Sequence, residues 1–484
     1  MRRTASALLA AFALAGCAQQ RTSALAPAPE QVPPRPVAQM AELGPPPVAV
    51  PDSAAAADSA AIADSVVVSD SDLTAGATEV FGDSAAVLEP SWDIDVLSYE
   101  TRDRVQHYVS LFSGDAKARI TRWLERGTRY EPMIRRTFKE EGLPEDMYYL
   151  GLIESGYNPD AYSSAAAVGM WQFMARTARG MGLRVDWWVD DRRDPVKSTQ
   201  AAGRFLRSLS DRFGSMYLAA AAYDGGPGRV SRGLKRYADD LQDSVGDDLF
   251  FQLVDKDFFH AETREYVPQL IAAALVAKDP ARYGMEIQPE SAFVYDSVRV
   301  APRTPLAAIA RATGATVDEI QALNPQILRG MAPPDDSINV RIPLGSAVSF
   351  DSALAALPAS VRVGTRYVTS RTGEYASTIA RKYGITTRQL EEFNPTLHKY
   401  QSGHLKPGQR VLVPSAEVVK AARSVPNPSI ELYGLVNGRY TVRSGDTLSG
   451  LAVKYHSTVK RLMELNHLKS DRIYIGQRLI ITHR

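Results

Sequence analysis

A single carboxylate on an apolar helical stripe is the first feature of this sequence that could do chemistry. Leu143, Met147, Leu150 and Glu154 follow one another at spacings of four, three and four, which puts them on one helix face. Burial disfavours the charged form of a carboxyl group and raises its pKa, so Glu154 has the setting of a general acid near neutral pH. Spacing alone leaves a second reading open, a solvated Glu at a frayed helix end. Three more stretches gather candidate groups. Ala167–Met174 holds Met170, Trp171 and Gln172. Ala221–Val230 holds Tyr223 and Asp224, followed by Gly225, Gly226 and Gly228. Glu262–Pro268 holds Tyr266. Singly, core packing is the better reading of each of these aromatic residues, since most aromatic side chains are structural.

The elements that would position these groups are helical. Pro144 followed by Glu145 and Asp146 suits a helix start, and Gly156 with Asn158-Pro159 a stop, predicting a helix over 145–155. Helical periodicity also predicts helices over 99–111, 116–126, 131–140, 198–213 and 263–277. The glycines after Asp224 predict a loop that comes close to a ligand. The chain has 484 residues and a formal charge of +1, so no overall field argues for nucleic acid. One cysteine excludes an intrachain disulfide and a cysteine-rich zinc site. Histidines are few and scattered and no Gly-rich phosphate cradle is present, so neither metal nor cofactor is expected.

Taken in order, the four stretches resemble the catalytic domain of family 1 lytic transglycosylases, which cleave the glycan strands of peptidoglycan. Trp187–Pro195 with Ser198-Thr199 narrows the resemblance to the membrane-bound D type. It implies a mainly α, lysozyme-like domain over 91–288, with its core at 131–285. Glu154 and Tyr266 would be catalytic, the phenol holding the carboxyl. Ser155, Met170, Trp171, Gln172, Tyr223 and Asp224 would bind substrate, Trp171 and Gln172 supplying the aromatic wall and polar group that a sugar site needs. The family pattern has Asn-Ala-Gly after the Tyr of the third stretch; here it is Asp224-Gly225-Gly226. A carboxylate facing Glu154 would raise the pKa of one of the pair. The implied reaction is non-hydrolytic cleavage between N-acetylmuramic acid and N-acetylglucosamine, giving 1,6-anhydro-muramoyl ends. The alternatives are a hydrolytic muramidase of goose-lysozyme type and a catalytically inactive wall-binding anchor.

The flanks fit the same reading. Arg2 and Arg3 precede an apolar run ending in Leu14-Ala15-Gly16-Cys17, which resembles a bacterial lipobox. That implies a lipoprotein signal peptide over 1–16, lipidation at Cys17 and, with no Asp after the Cys, a periplasmic enzyme anchored in the outer membrane. Residues 17–90 are rich in Pro, Ala, Ser and Asp and read as a disordered tether. Past residue 290 the chain repeats itself. Segments 365–414 and 437–484 resemble β-α-α-β lysin-motif domains, which bind N-acetylglucosamine-containing glycans, and 295–344 is a degenerate copy expected only to pack. Gly445, Asp446, Thr447 and Leu448 carry the family pattern in the last copy. Segments 346–361 and 415–427 read as linkers. The expected molecule is a multidomain monomer whose partners are glycan strands and a membrane.

Overall fold

The computed structural model describes residues 92–163, 165–426, 428, 435–436, 439–443, 446–455 and 457–481. Cys17, the signal segment, the tether and Gly445 lie outside the described residues. The helical part runs α1 (Asp103–Ser113), α2 (Lys117–Glu140), α3 (Leu150–Ser155), α4 (Ala175–Gly180), α5 (Pro195–Phe213), α6 (Met216–Gly225), α7 (Pro227–Arg236), α8 (Asp248–Asp255) and α9 (Ala261–Lys278). Two of these are buried nearly all round. Tyr217–Ala222 of α6 and Val267, Leu270–Ala274 and Val276 of α9 are inaccessible, and their alanines let the helices pack closely. They form the middle of the domain, and both carry site residues.

The element bounds depart from the sequence reading in three places. Residues 116–126 and 131–140 are not separate: α2 runs unbroken through Pro132. The apolar stripe Ile120, Leu124, Gly127, Tyr130, Ile134 and Phe138 continues across it on one buried face, offsetting the roughly 3 kcal/mol that an interior proline costs. The expected helix over 145–155 begins as a 3-10 turn, Glu145–Tyr149, and becomes α-helical only at Leu150. The glycine-rich stretch is not a loop but a sharp junction between α6 and α7, turning at Gly226 (φ +86°).

Three small β-α-α-β units follow. In the first, β1 (Asp296–Val300) pairs antiparallel with β2 (Ile338–Ile342) around α10 (Leu306–Thr313) and α11 (Val317–Leu323). The expected linker behind it folds as α12 (Ala347–Ala356) and α13 (Ala359–Arg362), with Phe350 buried in the unit's core. The second pairs β3 (Thr365–Thr369) with β4 (Arg410–Pro414) around α14 (Ala376–Lys382) and α15 (Thr387–Glu392), and α16 (Ala416–Lys420) follows. The third has β5 (Leu435–Val436), β6 (Arg439–Thr441) and β7 (Arg478–Ile480), with helices Leu448–Lys454 and Val459–Leu465.

One asparagine serves the same purpose in each unit. The Nδ2 of Asn324, Asn394 and Asn466 donates to the closing strand, at Arg341 O (2.7 Å), Leu412 O (2.7 Å) and Ile480 O (2.8 Å). The Oδ1 accepts from the N–H of the same strand residue. The side chain thus pairs with the strand as another backbone segment would, tying the second helix to the sheet. The first copy therefore keeps the fold.

Candidate active site

Glu154 stands in the last turn of α3, directly before the chain turns left-handed at Gly156 (φ +59°) and Tyr157 (φ +58°). Leu143, Met147 and Leu150 are buried beneath it, as the spacing predicts. Part of its surface remains open to solvent, yet enough protein surrounds the carboxyl for desolvation to dominate. Burial, reinforced by the anions Asp224 and Glu262, pushes its pKa up to about 8 against the opposing hydrogen bond from Tyr266. The Tyr266 phenol, nearly inaccessible on α9, donates to Glu154 Oε1. Burial and the adjacent Glu154 raise the Tyr266 pKa well above the usual range, so it stays a neutral donor.

Asp224 is brought to the same place from the end of α6. Its Oδ2 accepts from Thr263 Oγ1 at 2.7 Å, a contact the sequence reading missed. Thr263 precedes Tyr266 by three on α9 and so shares its face, which was the available signal. The close approach of α6 to α9 explains Gly225, since a Cβ there would meet Thr263 Oγ1 at 2.6 Å. Burial raises the Asp224 pKa, opposed by the Thr263 bond and by Arg229 and His260. The charge of Asp224 adds to the burial that raises the Glu154 pKa. Tyr223 reaches across to donate to Trp171 O at 2.7 Å, and Glu154 helps to hold its phenol neutral.

Several expected substrate contacts are instead parts of the scaffold. Met170 and Trp171 are fully buried. The Trp171 indole donates to Thr199 Oγ1 at 2.9 Å and packs on Phe138, so it is core rather than a sugar platform. Apolar area that large is more stable in the interior than on a cleft wall. Ser155 donates to Met170 O at 2.9 Å and accepts from Asn158 N, latching the end of α3 to the 166–173 loop. Gln172 is half-buried in a left-handed conformation (φ +45°) and donates to Gly169 O. The loop that holds these groups is braced from below by a buried pair. Arg192 bonds Asp190 through two nitrogens, at 2.8 and 2.9 Å, and donates to Ala166 O and Phe173 O.

In the third repeat, Asp446 accepts from Tyr440 Oη (2.6 Å) and Arg443 N (2.7 Å), Thr447 caps the following helix through Gly450 N, and Leu448 is core. The side chains of Asp446 and Leu448 hold the turn and the core, and Thr447 is the most accessible of the three.

A helical domain followed by β-α-α-β repeats is also the order of families that the sequence matches. Residues 131–244 match the Transglycosylase SLT domain, 371–414 and 440–482 match the LysM domain, and 294–359 match the LysM-like domain of lytic transglycosylase MltD. The chain combines an SLT transglycosylase domain with the lysin-motif set of the MltD type. Over 342 residues it is 28% identical to the membrane-bound lytic murein transglycosylase D of Escherichia coli K12, covering 68% of this chain and 71% of that protein. Over 184 residues it is 30% identical to the N-acetylmuramoyl-L-alanine amidase sle1 of Staphylococcus aureus USA300, covering 38% of this chain and 52% of that one. A solved lytic transglycosylase, Slt from Pseudomonas aeruginosa, is 26% identical over 33% of this chain and 25% of that chain, at a TM-score of 0.26. The assignment rests on the sequence matches. The MltD-type LysM-like match extends to residue 359 and so takes in α12.

Proposed function

We propose that this chain is a peptidoglycan lytic transglycosylase in which Glu154 is the one acid and base. Tyr266 donates to Oε1, which leaves the acidic proton on the other oxygen. That proton passes to the glycosidic oxygen between N-acetylmuramic acid and N-acetylglucosamine as the C1–O bond breaks, and the substrate's own N-acetyl group stabilises the cationic centre. The carboxylate so formed takes the proton of the muramoyl C6 hydroxyl, whose oxygen bonds to C1 and closes a 1,6-anhydro ring. The proton returns to Glu154 and no water is consumed. The observation that carries this reading is the Tyr266–Glu154 hydrogen bond in surroundings that hold the Glu154 pKa near 8. The same setting speaks against a silent anchor, because an inactive site has no need of a protonated buried carboxyl. Burial keeps Glu154 protonated, and the carboxylate of Asp224 adds to that effect.

The lysin motifs hold the enzyme on its polymer, and the second and third copies are the glycan-binding ones. Cys17 is the lipid attachment point, placing a monomeric enzyme in the periplasm on the outer membrane. The test of the catalytic reading is Glu154→Gln. It should lower the release of soluble fragments from purified sacculi by at least about 10²–10⁴-fold, with melting temperature and sacculus binding retained. A folded variant that digests at the wild-type rate would remove Glu154 from this role.

A further inference from the structure

Where the transglycosylase domain meets the first repeat there is a cavity of about 400 Å3. Its wall gathers three guanidinium groups from distant parts of the chain: Arg126 and Arg129 on α2, and Arg423 from the segment behind α16. The two acids on the wall are Asp160 and Glu290. Asp160 is already shared, its Oδ1 lying 2.6 Å from Arg423 Nη1 and 3.3 Å from Arg193 Nη1. Glu290 is exposed. Three guanidinium groups thus face two carboxylates, leaving the wall one positive charge in excess. Each arginine is also held by a carbonyl: Arg126 by Gly156 O (2.8 Å), Arg129 by Ser291 O (3.0 Å) and Arg423 by Gln321 O (3.2 Å). A guanidinium has five N–H donors in a planar fork, so these contacts fix the forks and leave donors over. Fixed forks of this kind suit carboxylates, because little side-chain entropy is lost when the ligand enters.

The position of the cavity indicates which carboxylate. Arg126 grips the carbonyl of Gly156, two residues past Glu154, and Asn158 on the wall is four residues past it. Chain reach limits the Cα separation of Glu154 and Asn158 to about 14 Å. An extended tetrapeptide spans about the same length. In peptidoglycan the stem peptide leaves the lactyl group of the muramic acid whose glycosidic bond Glu154 would protonate, and it carries free carboxylates.

We infer that the Arg126–Arg129–Arg423 cavity binds carboxylates of the stem peptide on the muramoyl residue held at Glu154, so that the enzyme selects peptide-bearing strands. The inference rests on the transglycosylase reading. It also accounts for the course of the segment behind the second repeat, which turns back to pair Arg423 N with Leu328 O and so completes the pocket.

The experiment compares kcat/KM for release of anhydro-muropeptides from peptide-bearing strands and from the same strands stripped of peptide by an amidase. The wild-type ratio should stand well above one. In Arg129→Gln and Arg423→Gln it should fall about tenfold, mainly through KM, as expected for one lost charge-assisted hydrogen bond. Arg129→Lys, which keeps the charge without the fork, should restore part of it. Arg129 gives up the Ser291 carbonyl and its packing on the Tyr130 and Phe293 rings, a smaller loss than the Asp160 ion pair of Arg423. Its variant, with melting temperature measured beside the rates, therefore guards against a folding defect in Arg423→Gln. A wild-type ratio near one, or an unchanged ratio in the folded Arg129→Gln variant, would overturn the inference. Anhydro product from stripped strands shows in either case that the catalytic reading stands. Its absence from both substrates would overturn that reading and this one with it.

Discussion

Two side chains pull the pKa of Glu154 in opposite directions, and their removal should move the pH profile in opposite directions. The acid acts protonated, so cleavage should hold below its pKa and fall as pH rises through about 8. Asp224 raises that pKa through its charge, and the Tyr266 hydrogen bond lowers it. Asp224→Asn should therefore bring the alkaline limb to lower pH. Tyr266→Phe should carry it to higher pH while reducing the plateau rate, because the carboxyl loses its aim. Rate profiles of both variants on one soluble glycan check the signs, and shifts in the same direction would refute the electrostatic account. Spacing singles out Glu154 as a lone carboxylate in an apolar period and leaves a solvated helix end equally open; the motif tips the reading. Tyr266 was legible only as part of a motif, since its partner lies 112 residues away. Trp171 by itself reads as core, where the structure places it. Only the family resemblance moves it toward the substrate, because a large aromatic in a Gly-flanked turn looks alike whether its ring faces a ligand or the core. The hydrogen bond to Thr199 that decides the matter leaves no mark in local sequence.

The geometry of α3 is set by one ring. Tyr157, fully buried, stacks on Tyr148 at 4.7 Å between centroids and fills the space that Gly151 and Gly127 leave open. A Cβ on Gly151 would meet the Tyr157 ring at 2.7 Å, and one on Gly127 would meet it at 2.6 Å. Gly151→Ala should therefore destabilise the protein by about 1–3 kcal/mol through overpacking, despite the better helix propensity of alanine. Because Gly151 is three residues before Glu154, activity should fall further than stability explains. Thermal melting beside sacculus digestion measures both, and a variant with unchanged melting would show that the helix has room. The continuity of α2 and the 3-10 start of α3 were not readable from period. In both, tertiary packing decides against a local signal, at Pro132 and at Glu145.

Across the molecule, the first repeat is a part of the catalytic body. Arg341 on β2 reaches Asp194 at 2.7 Å in a buried pair, while that carboxylate also caps α5. Backbone bonds join Asp190 to Gln326 and Leu328 to Trp188. Trp188 packs with Met331, Phe393, Leu412 and Val418, drawing the second repeat and α16 into the same contact. Contacts between residues separated by 147 positions leave no sequence period, and Arg423, in the stretch read as a linker, bonds Asp160 at a separation of 263. Deleting 294–359 should lower the melting temperature of the transglycosylase domain, because it leaves Asp194 without Arg341 and uncovers Trp188. Deleting 437–484 should leave melting unchanged and weaken the pull-down on insoluble peptidoglycan more strongly. Equal effects on both readouts would contradict this division between a structural copy and a binding one. The central claim concerns the product, and mass analysis of the fragments that the wild-type enzyme releases from purified sacculi tests it most directly. The account predicts muropeptides ending in 1,6-anhydro-muramic acid; reducing muramic acid ends, heavier by one water, would contradict it.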